Sequence, residues 1–133
     1  MIRRIQEDDA ERIAELDGEL FPEICWNENT LRREIRLGWG LVVTDSKERV
    51  IGFLLTRLDG QMTDIIRVGV TKKQQGKGHG RALLRKAIEE LDGPMMLTVR
   101  RDNEAAKRLY MSEGFAAAAC TTEGAIILTR DPR

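Results

Sequence analysis

The stretch VTKKQQGKGHGRALLRKAIEEL, residues 70–91, places Gly76, Gly78 and Gly80 at alternate positions immediately before a helical pattern. Upstream, MTDIIRVGV alternates with period two; downstream, Ala82, Leu83, Ala87, Ile88 and Leu91 recur with period 3.6. The chain must therefore pass from strand to helix through a loop that lacks side chains at alternate positions. Amide groups entering a helix N-terminus converge on one point, where the helix dipole adds positive charge and glycine lets the backbone come close. Such a loop suits an anion, and Lys72, Lys73, Lys77, Arg81, Arg85 and Lys86 surround it. A nucleoside-triphosphate loop is excluded because Arg81-Ala82 follow Gly80 where Lys-Ser/Thr is required. A dinucleotide fingerprint fails as well, since its last glycine would fall on Leu83 or Arg81. A turn that merely ends a strand would have the same composition.

The remaining pattern predicts an edge strand in MIRRIQ, a helix in EDDAERIAELDGEL and a connector FPEICWNE. A second helix, NENTLRREIRLG, has Asn27 or Asn29 as cap, Leu31, Ile35 and Leu37 inward, and Gly38 as its stop. Strands follow in WGLVVT, VIGFLLTRL and MTDIIRVGV, the last two joined by an Asp-Gly hairpin. After the glycine loop and its helix, Gly93-Pro94 stop the chain before a buried strand, MMLTV. DNEAAKRLYMSEG is a helix with Ala105, Ala106, Leu109 and Tyr110 on adjoining faces, and FAAAAC and AIILTR close the chain as strands around TTEG. This order describes one α/β layered domain over residues 1–133, a mixed sheet with helices on its faces.

Charge narrows the ligand class. The chain carries 22 basic and 22 acidic residues, so a nucleic-acid wrapping surface or a membrane-binding face is not expected. The charges are uneven, acidic over the first thirty residues and basic over residues 67–86, which points to a local anion site. Cys25 and Cys120 match no metal or redox spacing, no metal is expected, and the chain reads as cytoplasmic, with reduced thiols and no secretory leader.

A second segment, LTVRRDNEAAKRLYMSEGF, carries Asn103, Tyr110 and Gly114-Phe115. Taken alone, Asn103 could be a helix cap, Tyr110 a core residue and Gly114 a helix stop. Together, Gln75-x-x-Gly78-x-Gly80 and the run from Asn103 to Phe115 resemble the GNAT superfamily of acetyl-CoA-dependent N-acetyltransferases. The resemblance implies a mixed, mostly antiparallel sheet with about four flanking helices, splayed between the strand ending at Val70 and the strand around Leu97. Acetyl-CoA would lie in the gap. Backbone amides from Gly76, Lys77, Gly78, His79, Gly80 and Arg81 would hold the pyrophosphate, with Gln75 opening the loop. Main chain of Val68, Gly69 and Val70 would pair with the pantetheine arm. Asn103 would bond the pantetheine or its water, and Tyr110 would protonate the departing thiolate.

The acceptor amine must be neutral to attack, so a base or water chain is expected. Asp64, eleven residues before Gln75, stands where one branch of the family keeps a glutamate base; a solvated hairpin residue is the plain alternative. His79 is the lone histidine and lies inside the loop. The segment FPEICWNENTLRREI is similar to the ribosomal-protein-alanine N-acetyltransferase branch, which acetylates protein N-termini. That branch has a strand glutamate where this chain has Thr98, so either Asp64 takes the role or the acceptor differs. The expected acceptor is a protein N-terminus or lysine, used as monomer or homodimer. A small amine or antibiotic is the alternative, and a coenzyme A-binding module without turnover is the rival class.

Overall fold

The structure, a computed structural model, describes residues 1–132. Its elements are β1 (Ile2–Arg4), a 3-10 turn at Glu7–Asp9, α1 (Ala10–Leu20), α2 (Glu28–Leu37), β2 (Trp39–Thr44), β3 (Val50–Asp59) and β4 (Met62–Val70). A 3-10 turn at Lys72–Gln74 follows, then α3 (His79–Glu90), β5 (Met95–Arg100), α4 (Glu104–Ser112), β6 (Ala116–Cys120) and β7 (Ala125–Arg130). The strands form a seven-stranded sheet in the order β1-β2-β3-β4-β5-β7-β6. All pairs are antiparallel except β4 with β5. This is the mixed, mostly antiparallel layered sheet expected from the sequence.

The parallel pair is short. Only Thr63↔Met95, Asp64↔Met96 and Ile65↔Leu97 face one another. Beyond them β4 stays with β3 as far as Gly52↔Val70, while β5 stays with β7 as far as Arg100↔Ala125. The two strands part, and the sheet opens between them. A bulge lies at the parting point: Leu55 pairs with Arg67 and Thr56 with Ile65, so Ile66 has no partner. An extra residue of this kind bends its strand and strengthens its twist, which carries the end of β4 away from β5.

Two cores cover the sheet. Leu41, Leu54, Ile65, Leu83, Leu84, Ala87, Leu97 and Leu128 pack on the α3 side. Ile13, Leu16, Leu31, Ile35, Phe53 and Leu55 pack on the α1–α2 side. Asn27 caps α2, its Oδ1 accepting from the Thr30 N–H at 2.8 Å. Gly38 ends that helix for a reason other than a left-handed turn. Its backbone is extended, and an added Cβ would lie 2.1 Å from the Thr56 carbonyl oxygen.

Several side chains depart from the sequence pattern. Leu37 is 74% exposed, because the inward stripe of α2 ends with Ile35. On α3, Ala82 is exposed and Leu84 is buried, a shift of the stripe around the helix that leaves Leu83 and Ala87 inward. β5 alternates instead of being buried throughout: Met95, Leu97 and Val99 are covered, whereas Thr98 is exposed. No β5 residue belongs to the α1–α2 core. Helix α4 contains no fully buried residue. Among the described residues, no helix is long and apolar enough to cross a membrane, and no group of His, Cys, Asp or Glu could hold a metal ion.

Candidate active site

The opening between β4 and β5 forms a cleft of about 470 Å³. One wall is the end of β4, with Val68, Gly69 and Val70; the glycine loop contributes Gln75, Gly76, Gly78, His79, Gly80 and Arg81. Across from them stand Ala105, Ala106, Leu109 and Tyr110 of α4. Ala106, Leu109 and Tyr110 pack against the α3-side core, but the same face also borders the cleft, and α4 therefore buries nothing fully. Gln74, just before the loop, and Leu20 and Phe21, at the end of α1, complete the lining.

The loop has the local structure that its glycines allow. Gly76 and Gly78 have φ of 80° and 87°, the left-handed region that L side chains rarely adopt. An added Cβ at either would meet nothing within 4 Å. Open space beside a constrained backbone is what an anion cradle requires. Gly78 is the N-cap of α3, and the first intrahelical bond runs from the Ala82 N–H to the Gly78 carbonyl at 3.0 Å. The amides ahead of Ala82 precede any intrahelical acceptor and are available to a ligand. Gln75 ties the loop to the sheet by donating from Nε2 to the Val70 carbonyl at 3.0 Å. The Arg81 side chain turns away from the loop, to Ser112 Oγ at 2.8 Å and Glu113 at 2.5 Å, and Arg85 pairs with the same carboxylate at 2.9 Å. These guanidiniums, Arg85 foremost, hold the Glu113 carboxyl below its ordinary pKa and join α3 to α4.

Tyr110 stands edge-on to Phe115, ring centroids 6.1 Å apart. Burial pushes its phenol pKa up, so at neutral pH the hydroxyl keeps its proton. Asp64 lies outside the cleft lining, one pair before the last β4–β5 contact, opposite Arg57 on β3. Burial raises its carboxyl pKa, against the opposing charge of Arg57, which itself pairs with the buried Glu34 of α2. Asn103 caps α4, its Oδ1 accepting from the Ala106 N–H at 3.1 Å. Neither Asn103 nor Lys77 lines the cleft. Thr98 is exposed on β5.

Comparison with known proteins gives this geometry a family. The sequence pattern of the acetyltransferase (GNAT) family matches residues 2–115. The chain belongs to the GNAT family. Its enzymes are acetyltransferases, and this chain is one of them. It is similar to N-alpha-acetyltransferase RimI of Mycobacterium tuberculosis, 34% identical over 114 residues, covering 80% of this chain and 72% of the relative. Mycothiol acetyltransferase of Renibacterium salmoninarum is 34% identical over 86 residues, which span 57% of this chain and 25% of that protein. Among solved structures, ribosomal-protein-S18-alanine N-acetyltransferase from Escherichia coli superposes with a TM-score of 0.87 at 25% identity, covering 99% of this chain and 93% of the other.

Sequence reasoning did not place Leu20, Phe21 or Gln74 at the GNAT cleft. Leu20 is the last residue of the helix expected over EDDAERIAELDGEL, and nothing local in Leu20-Phe21 announces that it meets a strand about fifty residues later. The signal lay in Gly69. An added Cβ there would be 2.6 Å from Leu20 Cδ1 and 3.7 Å from Phe21 Cε2, so the strand leaves room for the helix end.

Proposed function

We propose that this GNAT domain transfers acetyl from acetyl-CoA to the α-amino group of a protein, with the amino-terminal alanine of a ribosomal protein as first acceptor. One observation carries the reading: the cleft has a glycine-rich helix entrance at one end and a protonated phenol on its wall. The likeness to RimI and to the S18-alanine enzyme supports the choice of acceptor.

The residues present fit acetyl-CoA. Amides of Gly76 through Arg81 hold the diphosphate, and the main chain of Val68, Gly69 and Val70, which does not pair with β5, offers the pantetheine arm a strand edge. When bound, acetyl-CoA supplies an activated acyl group for direct attack by the amine. Tyr110 holds a proton for the leaving sulfur. Asp64, its basicity raised by burial, takes the amine proton through water, since it does not line the cleft itself. Asn103, outside the cleft lining, reaches the coenzyme arm through water with the amide group left free by its capping oxygen.

Thr98, exposed where the similar branch keeps a glutamate, favours a second reading in which the acceptor is a small amine. The test is thiol release from acetyl-CoA with a peptide of the S18 amino terminus, the same peptide with its α-amine blocked, and a panel of polyamines. Release with the free peptide alone is expected. Release with polyamines alone overturns the acceptor, and coenzyme binding with no release on any amine overturns the enzyme reading in favour of a binding module.

A further inference from the structure

The Ile66 bulge has a second effect on the strand that bears it. In an unbroken strand successive side chains alternate faces, and one extra residue reverses that alternation. Ile66 packs with the α1–α2 core, and Arg67, its neighbour, reaches the same side. There Arg67 is buried, 8% exposed, and its Nη2 donates to the Ile24 carbonyl at 2.6 Å. Its guanidinium carbon lies 4.7 Å from the Phe21 ring and 4.4 Å from the Trp26 ring. Nε stands 3.6 Å from Oδ1 of Asp17, a wholly buried α1 carboxylate whose Oδ2 accepts the Trp26 N–H at 2.7 Å. That Oδ1 has no hydrogen-bond donor.

A buried ion pair of this sort contributes little to stability over a well-packed apolar side chain of similar size. What it does supply is direction. A planar head with several donors can fix the orientation of whatever it touches, as an aliphatic residue cannot. Here it touches the connector between α1 and α2 at Phe21, Ile24 and Trp26 together. Phe21 lines the cleft. The neighbouring residues of the same strand, Val68 to Val70, line it from the sheet.

We propose that Arg67 is a positioning residue for the acceptor: it clamps the 21–27 connector and so sets the wall against which the incoming amine is held. The proposal rests on the reading of the cleft as an acyl-transfer site. Its test uses Arg67→Met combined with Asp17→Asn, which leaves no uncompensated buried carboxylate, beside Arg67→Lys, which keeps the charge without the planar stack. Measured on each folded protein are acetyl-CoA affinity by calorimetry, kcat and KM for the S18 amino-terminal peptide, and hydrogen exchange at the Ile24 amide, which donates to the Phe21 carbonyl at 3.1 Å within the connector. In the double variant the peptide KM is expected to rise roughly tenfold or more, since small misplacements of a bound reactant are costly. Acetyl-CoA affinity stays within about twofold, exchange at Ile24 quickens roughly tenfold, and Arg67→Lys recovers part of each loss. An unchanged peptide KM, or coenzyme affinity lost in parallel, overturns the proposal. Should the unmodified enzyme acetylate no peptide, the acceptor reading fails separately, and the clamp is then decided by Ile24 exchange, where an unaltered rate overturns it.

Discussion

Tyr110 and Asp64 are both shifted upward by burial, and the same direction has opposite uses in the two groups. For the phenol it preserves a proton to donate. Tyr110→Phe is therefore expected to lower kcat about 10²-fold or more, with acetyl-CoA affinity unaltered; a stopped assay beside calorimetry checks both. For the carboxyl it strengthens a base that works only when ionised. The acidic limb of kcat/KM follows the raised Asp64 value, and Asp64→Asn should flatten that limb while lowering the plateau. The stability consequence has a definite sign. Because folding raises this pKa, Asp64 contributes stability below its unfolded value, about 3.9, and loses it as pH rises through the folded value. At neutral pH, Asp64→Asn should leave the Tm equal or higher, and a clear drop in a pH series of melts would contradict that sign. The glycines divide in a similar way. Gly78 is left-handed, whereas an added Cβ at Gly80 meets only Leu109, at 3.9 Å. Gly80→Ala thus leaves the fold intact and serves as control, while Gly78→Ala should lose about 1 kcal/mol of stability and most of the coenzyme affinity. At this scale the loop and Tyr110 were legible because their signals are local; Arg67 and Phe21 were not, because what they touch is distant in sequence.

Helix α4 shows how an element can serve two needs with one cap. Asn103 satisfies the Ala106 N–H, and removing that oxygen through Asn103→Ala is expected to cost roughly 1 kcal/mol by denaturant unfolding. Asn103→Asp retains the capping oxygen but not the amide donor, so it should keep stability and still weaken acetyl-CoA binding if the free amide meets the coenzyme. Equal affinity in Asn103→Asp and the parent would confine Asn103 to capping. Element order, types and the antiparallel hairpin were readable from period and turn chemistry. Helix phase was readable only to within a residue: the stripe on α3 includes Leu84, not Ala82, since both choices satisfy a 3.6 period and only the sheet decides. The half-covered β5 and the unburied face of α4 could not be read either, because a face bordering a cleft and a face bordering a core carry the same apolar residues.

The whole molecule is organised around strands that part. Val68 to Val70 keep β3 on one side and nothing of β5 on the other, so a ligand there completes the sheet. Acetyl-CoA at a hundred times its dissociation constant should stabilise the fold by about 2.7 kcal/mol, a rise in Tm of order 10 °C. Differential scanning fluorimetry reads this directly, and no shift at saturating coenzyme would remove the cleft from consideration. The family resemblance implies this splaying, but the short register and the bulge that opens it are visible only in the fold. An interior strand with one bare flank has a cost that an outer strand can avoid. Rim strands can be guarded with lysine or proline, whereas a flank that must welcome a slender ligand has to stay unguarded. The empty protein therefore carries adhesive backbone at its centre, and its solubility during synthesis and storage should depend on how promptly that slot is filled.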